Sequence, residues 1–362
     1  MFIFSLEFIL SMLNILKVNF RNQILFLVYS KSNLQYMKEV INILERDDVS
    51  FKVIFFDKDE KILDSHSNYV YIHPYLSSLL RAKLVITTSV QLKKEKFPLV
   101  KKLSHLPHSI VSLHMIYPEK SFNGFDYIFC SGKHHLEEIK EINKLYGCSI
   151  CGLKSGYIKL DRLHQRSKMR AIDENEKKII LLAPSWGADN ILESIGESLI
   201  DAIILKDYIL IIRPHPIFFI EKKDIIEKLR EKCDNINIFL ENSTDDDDSF
   251  FKADIMISDY SGVAFEFAFL REKPILFIDV PKKVLNINYQ DMDAIPIEVA
   301  LRDKIGIIAD PKIEDILDSL ENIIQNPHMY KKPIRALRED LLFNYLHASN
   351  IVVNQIKKII KE

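Results

Sequence analysis

Residues 253–279, ADIMISDYSGVAFEFAFLREKPILFID, decide the fold class. Ile255-Met256-Ile257 is a short apolar run and predicts a buried strand. It stops at the polar turn Ser258-Asp259-Tyr260-Ser261-Gly262. Val263, Ala264, Phe267, Ala268 and Leu270 then recur at helical spacing, and residues 274–278 predict a second strand. Strand, turn, helix and strand make one βαβ unit, with its turn at the carboxyl end of the strand. Open α/β sheets bind ligands there. The free N–H groups of a helix start favour anions, phosphates above all. Ser258, Asp259, Ser261 and Gly262 are therefore candidate binding residues. Glu266, in the first turns of the helix, is placed either to accept from ribose hydroxyls or simply to favour the helix start.

The same alternation extends in both directions. Upstream, strands are predicted at 24–29, 51–56, 70–72, 84–87, 109–111 and 127–130, with a helix at 33–45. Residues 162–178 are polar and charged and read as a link. Beyond it, strands at 179–183, 208–212, 236–239 and 305–309 alternate with helices at 190–205, 224–232 and 313–324. An amphipathic helical tail covers 332–360. Strands separated by helix-length segments imply parallel sheets with helices on both faces. The expected architecture is α/β, with two Rossmann-like domains, 22–165 and 176–340, facing a central cleft. An apolar helix at 1–21 precedes them and a C-terminal helix at 341–362 follows. A chain of 362 residues is long enough for that plan.

Bulk composition narrows the partners. A net charge of −2 leaves no basic surplus, so no nucleic acid is expected. Lys93, Lys94 and Lys96 read as a solvated face. Cys148-Ser-Ile-Cys151 is a lone pair without further ligands at zinc spacing, which points to core packing and a reducing compartment. The acidic run 245–248 reads as a helix cap or solvated loop, because adjacent aspartates point in different directions. The first twenty residues are mostly apolar, interrupted by a narrow polar stripe of Glu7, Ser11, Asn14 and Lys17. They lack the basic start and cleavage site of a signal peptide, and are interrupted too often for a membrane span. Two readings stand: a helix lying on a membrane surface, or a helix packed on the first domain.

Three strand-end loops of the second half, 184–190, 213–216 and 258–262, open toward one cleft if the sheet is parallel. They bring Ser185 and Trp186, then Arg213 with its fixed fork for phosphate oxygens, then the serine turn. His215 is held between two prolines. The first half offers His105, His108 and His114 within LSHLPHSIVSLHMIY. A histidine after proline at a strand-to-helix junction is a candidate general base; His108 is the first choice and His114 the second.

These segments together resemble the CDP-glycerol glycerophosphotransferase family, the teichoic-acid-type polymerases and primases. The quoted stretch resembles that family's ISDYSS-like turn and the helix and KP strand that follow. LLAPSWG is similar to its APTW strand end, IIRPHP to its arginine-x-histidine motif, and SGYIKLDRL, with Gly156, Lys159 and Asp161, to its glycine-to-aspartate segment. The matches run in the family's order between residues 105 and 280. The resemblance implies a GT-B-like fold and a transferase moving glycerol phosphate from a CDP-linked polyol donor to a glycan or lipid-linked acceptor, releasing CMP. Neither metal nor cofactor is required by it. It implies that Arg213, His215, Ser258, Ser261 and Gly262 hold the donor diphosphate. His215 would neutralise or protonate the leaving phosphate, and His108 would be the base. Gly262 stands where the family more often has a second serine, and is the first place to look for altered donor choice. The expected setting is the cytoplasm, peripheral to the inner face of a bacterial membrane, in cell-surface polymer or capsule synthesis. The alternatives are a GT-B sugar transferase or nucleotide-sugar epimerase, and a non-catalytic member that binds a glycan or partner.

Overall fold

The apolar runs form two all-parallel sheets in a computed structural model that describes residues 6–362 apart from 22, 64, 91, 170–176 and 243–246. The first sheet contains β1 (Ile24–Val28), β2 (Phe51–Phe55), β3 (Tyr69–Tyr71), β4 (Ala82–Thr87), β5 (Val100–His105), β6 (Tyr127–Cys130) and β7 (Cys151–Lys154), in the order β3-β2-β1-β4-β5-β6-β7. The second contains β8 (Ile179–Leu182), β9 (Ile209–Ile212), β10 (Ile238–Leu240), β11 (Ile255–Ser258), β12 (Ile275–Ile278) and β13 (Gly306–Ala309), in the order β10-β9-β8-β11-β12-β13. Strand order reverses between β1 and β4 and again between β8 and β11. These switch points open a crevice at the strands' carboxyl ends. β1, β8 and β12 are buried at every position, as strands covered by helices on both faces must be.

The βαβ unit read from residues 253–279 is β11, the helix Gly262–Arg271 and β12. Ala264 to Phe269 are all buried, because the helix packs on the helices Ile158–Lys168 and His328–Leu341 as well as its own sheet. It ends at Glu272 in a left-handed conformation (φ 52°), with its carboxylate held by Arg335 at 2.7 Å and Arg338 at 3.1 Å.

Residues 109–111 are not the strand that their apolar character predicts. The strand next to β4 is β5, hidden in the sequence by exposed Lys101 and Lys102. Residues 106–117 form a loop that is buried over most of its length, and several of its peptide groups are satisfied by side chains. His134 Nε2 donates to the Ile110 carbonyl (2.8 Å) and His135 Nε2 to that of Val111 (2.9 Å). Ser112 N donates to Glu298 Oε2 (3.0 Å), Leu113 N to Glu138, and Asn286 Nδ2 to the His114 carbonyl (2.9 Å).

The tail is two helices, not one. His328–Leu341 ends before Asn344 and Leu346, which have φ of 43° and 62°, and Ala348–Ile359 then turns back to the first sheet. There Val352, Val353 and Ile356 share a core with Ile24, Phe26 and Ile41. Gly156 (φ 96°) permits the crossing, since a β-carbon there would stand 2.5 Å from the Phe343 carbonyl oxygen. Asp161 accepts from Ser349 N at 2.7 Å and Ser349 Oγ at 2.8 Å at the start of the last helix. The helix Ile158–Lys168 occupies the first part of the predicted polar link, whose residues 170–176 lie outside the described ones. Of the acidic run, Asp245 and Asp246 also lie outside them; Asp247 is buried against Arg166.

The described part of the first helix, Leu6–Arg21, docks by its polar stripe. Ser11 is fully buried and accepts from His73 N (3.1 Å), and Asn14 donates to the Tyr71 carbonyl (3.1 Å). Ile15 and Val18 pack inward, while Ile9, Leu10, Met12, Leu13 and Leu16 face outward, Leu16 at 68% exposure.

The last helix is integral to the first sheet's core, so Ile356→Ala should destabilise the protein by about 2–5 kcal/mol. Urea unfolding followed by circular dichroism measures this, and an unchanged midpoint would refute the packing.

Candidate functional site

A cleft of about 320 Å³ lies between the two sheets' carboxyl edges. The second half lines it with residues 183–186 after β8, 213–216 after β9, and 260–263 after β11. From the first half come Tyr36, His108, Ser109 and Lys159. All three strand-end loops singled out in the sequence therefore meet in one place.

The turn after β11 is built from within. Ser258 Oγ donates to the Ala183 carbonyl (2.7 Å), and buried Asp259 accepts from Ser185 N (2.8 Å). These contacts lock the β11 turn to the β8 loop across the switch point. Ser258 and Asp259 are thus supports behind the cleft, whereas Ser185, Ser261 and Gly262 line it. Ser261 is the N-cap of the helix Gly262–Arg271 in extended conformation, and its side chain makes no capping bond. The first N–H groups of the helix and the Ser261 hydroxyl are left for an anion.

Two lysines face that helix start. Lys283 Nζ stands 3.8 Å from the centre of the Trp186 ring, and burial lowers its pKa to about 8 despite the pull of Asp259 and Glu298. Lys159 pairs with buried Glu266 at 2.6 Å. Tyr157 Oη sits between Glu266 Oε1 (2.7 Å) and the His108 carbonyl (2.9 Å). Glu266 lines the cleft, but its carboxylate is already engaged by Lys159 and Tyr157. Lys283 was not recognised in the sequence. Its place in the loop after β12, the next carboxyl end along the sheet, is the signal that could have found it.

His108 and His215 both reach the cleft. His108 Nδ1 lies 3.2 Å from the Thr88 carbonyl, which fixes the proton on that nitrogen and leaves Nε2 as the acceptor. His215 Nδ1 accepts from Ile217 N (3.3 Å), so its Nε2 carries the proton. Burial, aided by nearby Lys283 and Lys159, lowers His215 to about 3. His108 falls to about 4, again chiefly by burial. Both rings are neutral at neutral pH: His108 presents an acceptor nitrogen and His215 a donor.

Arg213 lines the cleft with its guanidinium near Glu241 (3.6 Å), Asp247 (3.9 Å) and Ser249 (3.4 Å). It is a charge-compensated wall rather than an open clamp. His114 lies outside the cleft, its Nδ1 3.2 Å from Glu138 Oε2. Burial works against its charged form, but Glu138 and Glu298 outweigh this and raise its pKa. His105 is enclosed by Tyr117, Phe122 and Phe125. Of the three clustered histidines, only His108 is positioned to meet a substrate. Among the described residues, no group of three His, Cys, Asp or Glu side chains is arranged as a metal site.

Comparison with known proteins follows this geometry. Solved structures similar in fold include a variant of the wall teichoic acid polymerase TagF, with a TM-score of 0.65 at 16% identity, covering 98% of this chain and 93% of that one. UDP-GlcNAc 2-epimerase from Neisseria meningitidis, solved bound to UDP-GlcNAc, superposes with a TM-score of 0.59 at 16% identity, covering 92% and 99%. At such identity these likenesses establish the GT-B-like fold alone. In sequence, the teichoic acid poly(glycerol phosphate) polymerase of Bacillus spizizenii is 32% identical over 142 residues, covering 34% of this chain. The chain spans about a third of that relative's length, 34%. The family model described as CDP-Glycerol:Poly(glycerophosphate) glycerophosphotransferase matches residues 9–284, and the chain belongs to that family.

Proposed function

We propose that this protein transfers a glycerol-phosphate-type group from a CDP-linked donor to an acceptor hydroxyl on a glycan or lipid-linked chain, releasing CMP. The observation that carries the reading is one cleft holding an open helix start, two lysines and a histidine with its Nε2 free to accept. Family membership supports a CDP-linked donor. In this reading the donor diphosphate lies at the start of the helix Gly262–Arg271, with Lys283 and Lys159 beside it. The acceptor oxygen attacks the β-phosphorus, its proton passes to His108 Nε2, and the bond to the CMP oxygen breaks. The neutral His215 Nε2–H donates a hydrogen bond to the leaving phosphate. Phosphoryl transfer asks chiefly for alignment and charge stabilisation, which these groups supply; no metal or cofactor is part of the proposal.

The first helix adds a location. Its outward face carries Ile9, Leu10, Met12, Leu13 and Leu16, an arrangement suited to shallow insertion in a lipid surface. No described helix is long and apolar enough to cross a membrane. We infer peripheral attachment to the membrane that carries the acceptor, at its inner face.

Three outcomes are expected. His108→Ala should cut CMP release from CDP-glycerol by roughly 10²–10⁴-fold while leaving CDP binding intact; unchanged turnover would remove His108 from the mechanism. UDP or GDP binding in place of CDP would shift the reading to a nucleotide-sugar reaction, and no nucleotide binding to a glycan-binding role. CDP affinity should fall as pH rises through about 8, where Lys283 loses its proton, and Lys283→Arg should flatten that fall in calorimetric titrations. A slope that persists in the arginine variant would point to another group. Wild-type protein should sediment with phosphatidylglycerol vesicles, and the Ile9→Ser/Leu13→Ser/Leu16→Ser variant should stay in solution; a wild type that does not sediment would sink the membrane reading.

A further inference from the structure

The start of the helix Gly262–Arg271 is completed from the opposite half of the molecule. A β-carbon built on Gly262 would stand 2.5 Å from Ser109 Oγ, closer than real β-carbons come to an oxygen, and 3.4 Å from Val111 Cγ1. The Ser109 hydroxyl occupies the room that a side chain at Gly262 would need, so any such side chain would have to push it aside. Ser109 and Ser261 both line the cleft. No protein group among the described residues hydrogen-bonds the Ser109 hydroxyl, although its neighbours are fixed. His108 is tied to the Thr88 carbonyl, and the Val111 carbonyl is tied to buried His135. The hydroxyl is thus positioned at an anion site, open to the cleft and without a bond to satisfy it.

We propose that Ser109 is a donor-binding residue, supplying to the phosphate at this helix start a second hydroxyl beside that of Ser261. Gly262 is the position that admits it. The inference rests on the function proposed above and deepens it. A donor phosphate held by Ser261 from one half and Ser109 from the other fastens the two halves across the cleft. It does so next to His108, the base, so donor seating and alignment of the base are linked through one loop.

A hydroxyl swap tests this. Calorimetric CDP titration and CMP release from CDP-glycerol are measured for the wild type, Ser109→Ala, Gly262→Ser and the double variant. Ser109→Ala should weaken CDP binding about tenfold, the order expected for losing one hydrogen bond to a charged group. Gly262→Ser should be similarly weak, since its side chain displaces Ser109. The double variant removes the collision and restores one hydroxyl, and should return to within about threefold of the wild type. Binding by Ser109→Ala equal to the wild type, or a double variant no better than Gly262→Ser, would overturn the inference while leaving the proposed function standing. A wild type that binds no CDP would overturn both.

Discussion

A backbone segment buried without regular structure must find a partner for every peptide group, or each orphan costs about 1–3 kcal/mol. The loop 106–117 is this protein's answer to that constraint. Its partners come from three directions: His134, His135 and Glu138 from one helix of the first half, Tyr157 from the loop before the helix Ile158–Lys168, and Asn286 and Glu298 from the second half. The loop is consequently a bolt between the two sheets as well as a wall of the cleft. His108 and Ser109 sit at its cleft end, which is why they can be precise without belonging to a strand or helix. Glu298, buried and raised to about 7 chiefly by burial, shows that the bolt is held against an electrostatic cost.

Lys159 and Lys283 make the cleft suited to a guest that carries negative charge. Burial sets His108 and His215 well below the ordinary imidazole range, and two lysine charges add to the effect. A bound anion would reverse the lysine contribution, since each phosphate charge offsets an ammonium close to the rings. In the proposed reading, His108 would then gain proton affinity when an anionic donor is seated. In the empty cleft it is a poor proton acceptor. Coupling of basicity to occupancy needs no moving part; it follows from Coulomb's law in a desolvated space.

The sheets and the second half's share of the cleft lining were legible in the sequence because parallel strands are apolar runs, and strand ends with Ser, Arg and His are unusual in such runs. Ser185, His215, Ser261 and Gly262 could be named in advance for that reason. The first half was harder. Lys101 and Lys102 broke the apolar pattern of β5, and the apolar residues Ile110 and Val111 mimicked a strand in a loop that is buried for another reason. Periodicity reports burial, and cannot tell a buried loop from a strand. His114 and Arg213 show a related limit. Both residue types suit catalysis, yet carboxylates distant in sequence change their setting: Glu138 holds His114 outside the cleft, and Glu241 with Asp247 offsets the charge of Arg213 at the cleft wall. Ser109 could not be weighed without knowing which loops meet. The SGYIKLDRL segment divides the same way, with Lys159 facing the cleft while Gly156 and Asp161 secure the chain's last helix.

That last helix has a consequence for how the chain is made. Ile24, Phe26 and Ile41 are synthesised before the second sheet, and the layer that covers them, Val352 to Ile359, after it. During vectorial synthesis the first sheet can collapse but cannot close, and it presents an apolar face until the whole second half has followed it. The two halves are therefore not independent folding units laid end to end. Fragments ending after the first sheet should be sticky and short-lived, and a growing chain has reason to be shielded until the helix Ala348–Ile359 has reached the first sheet.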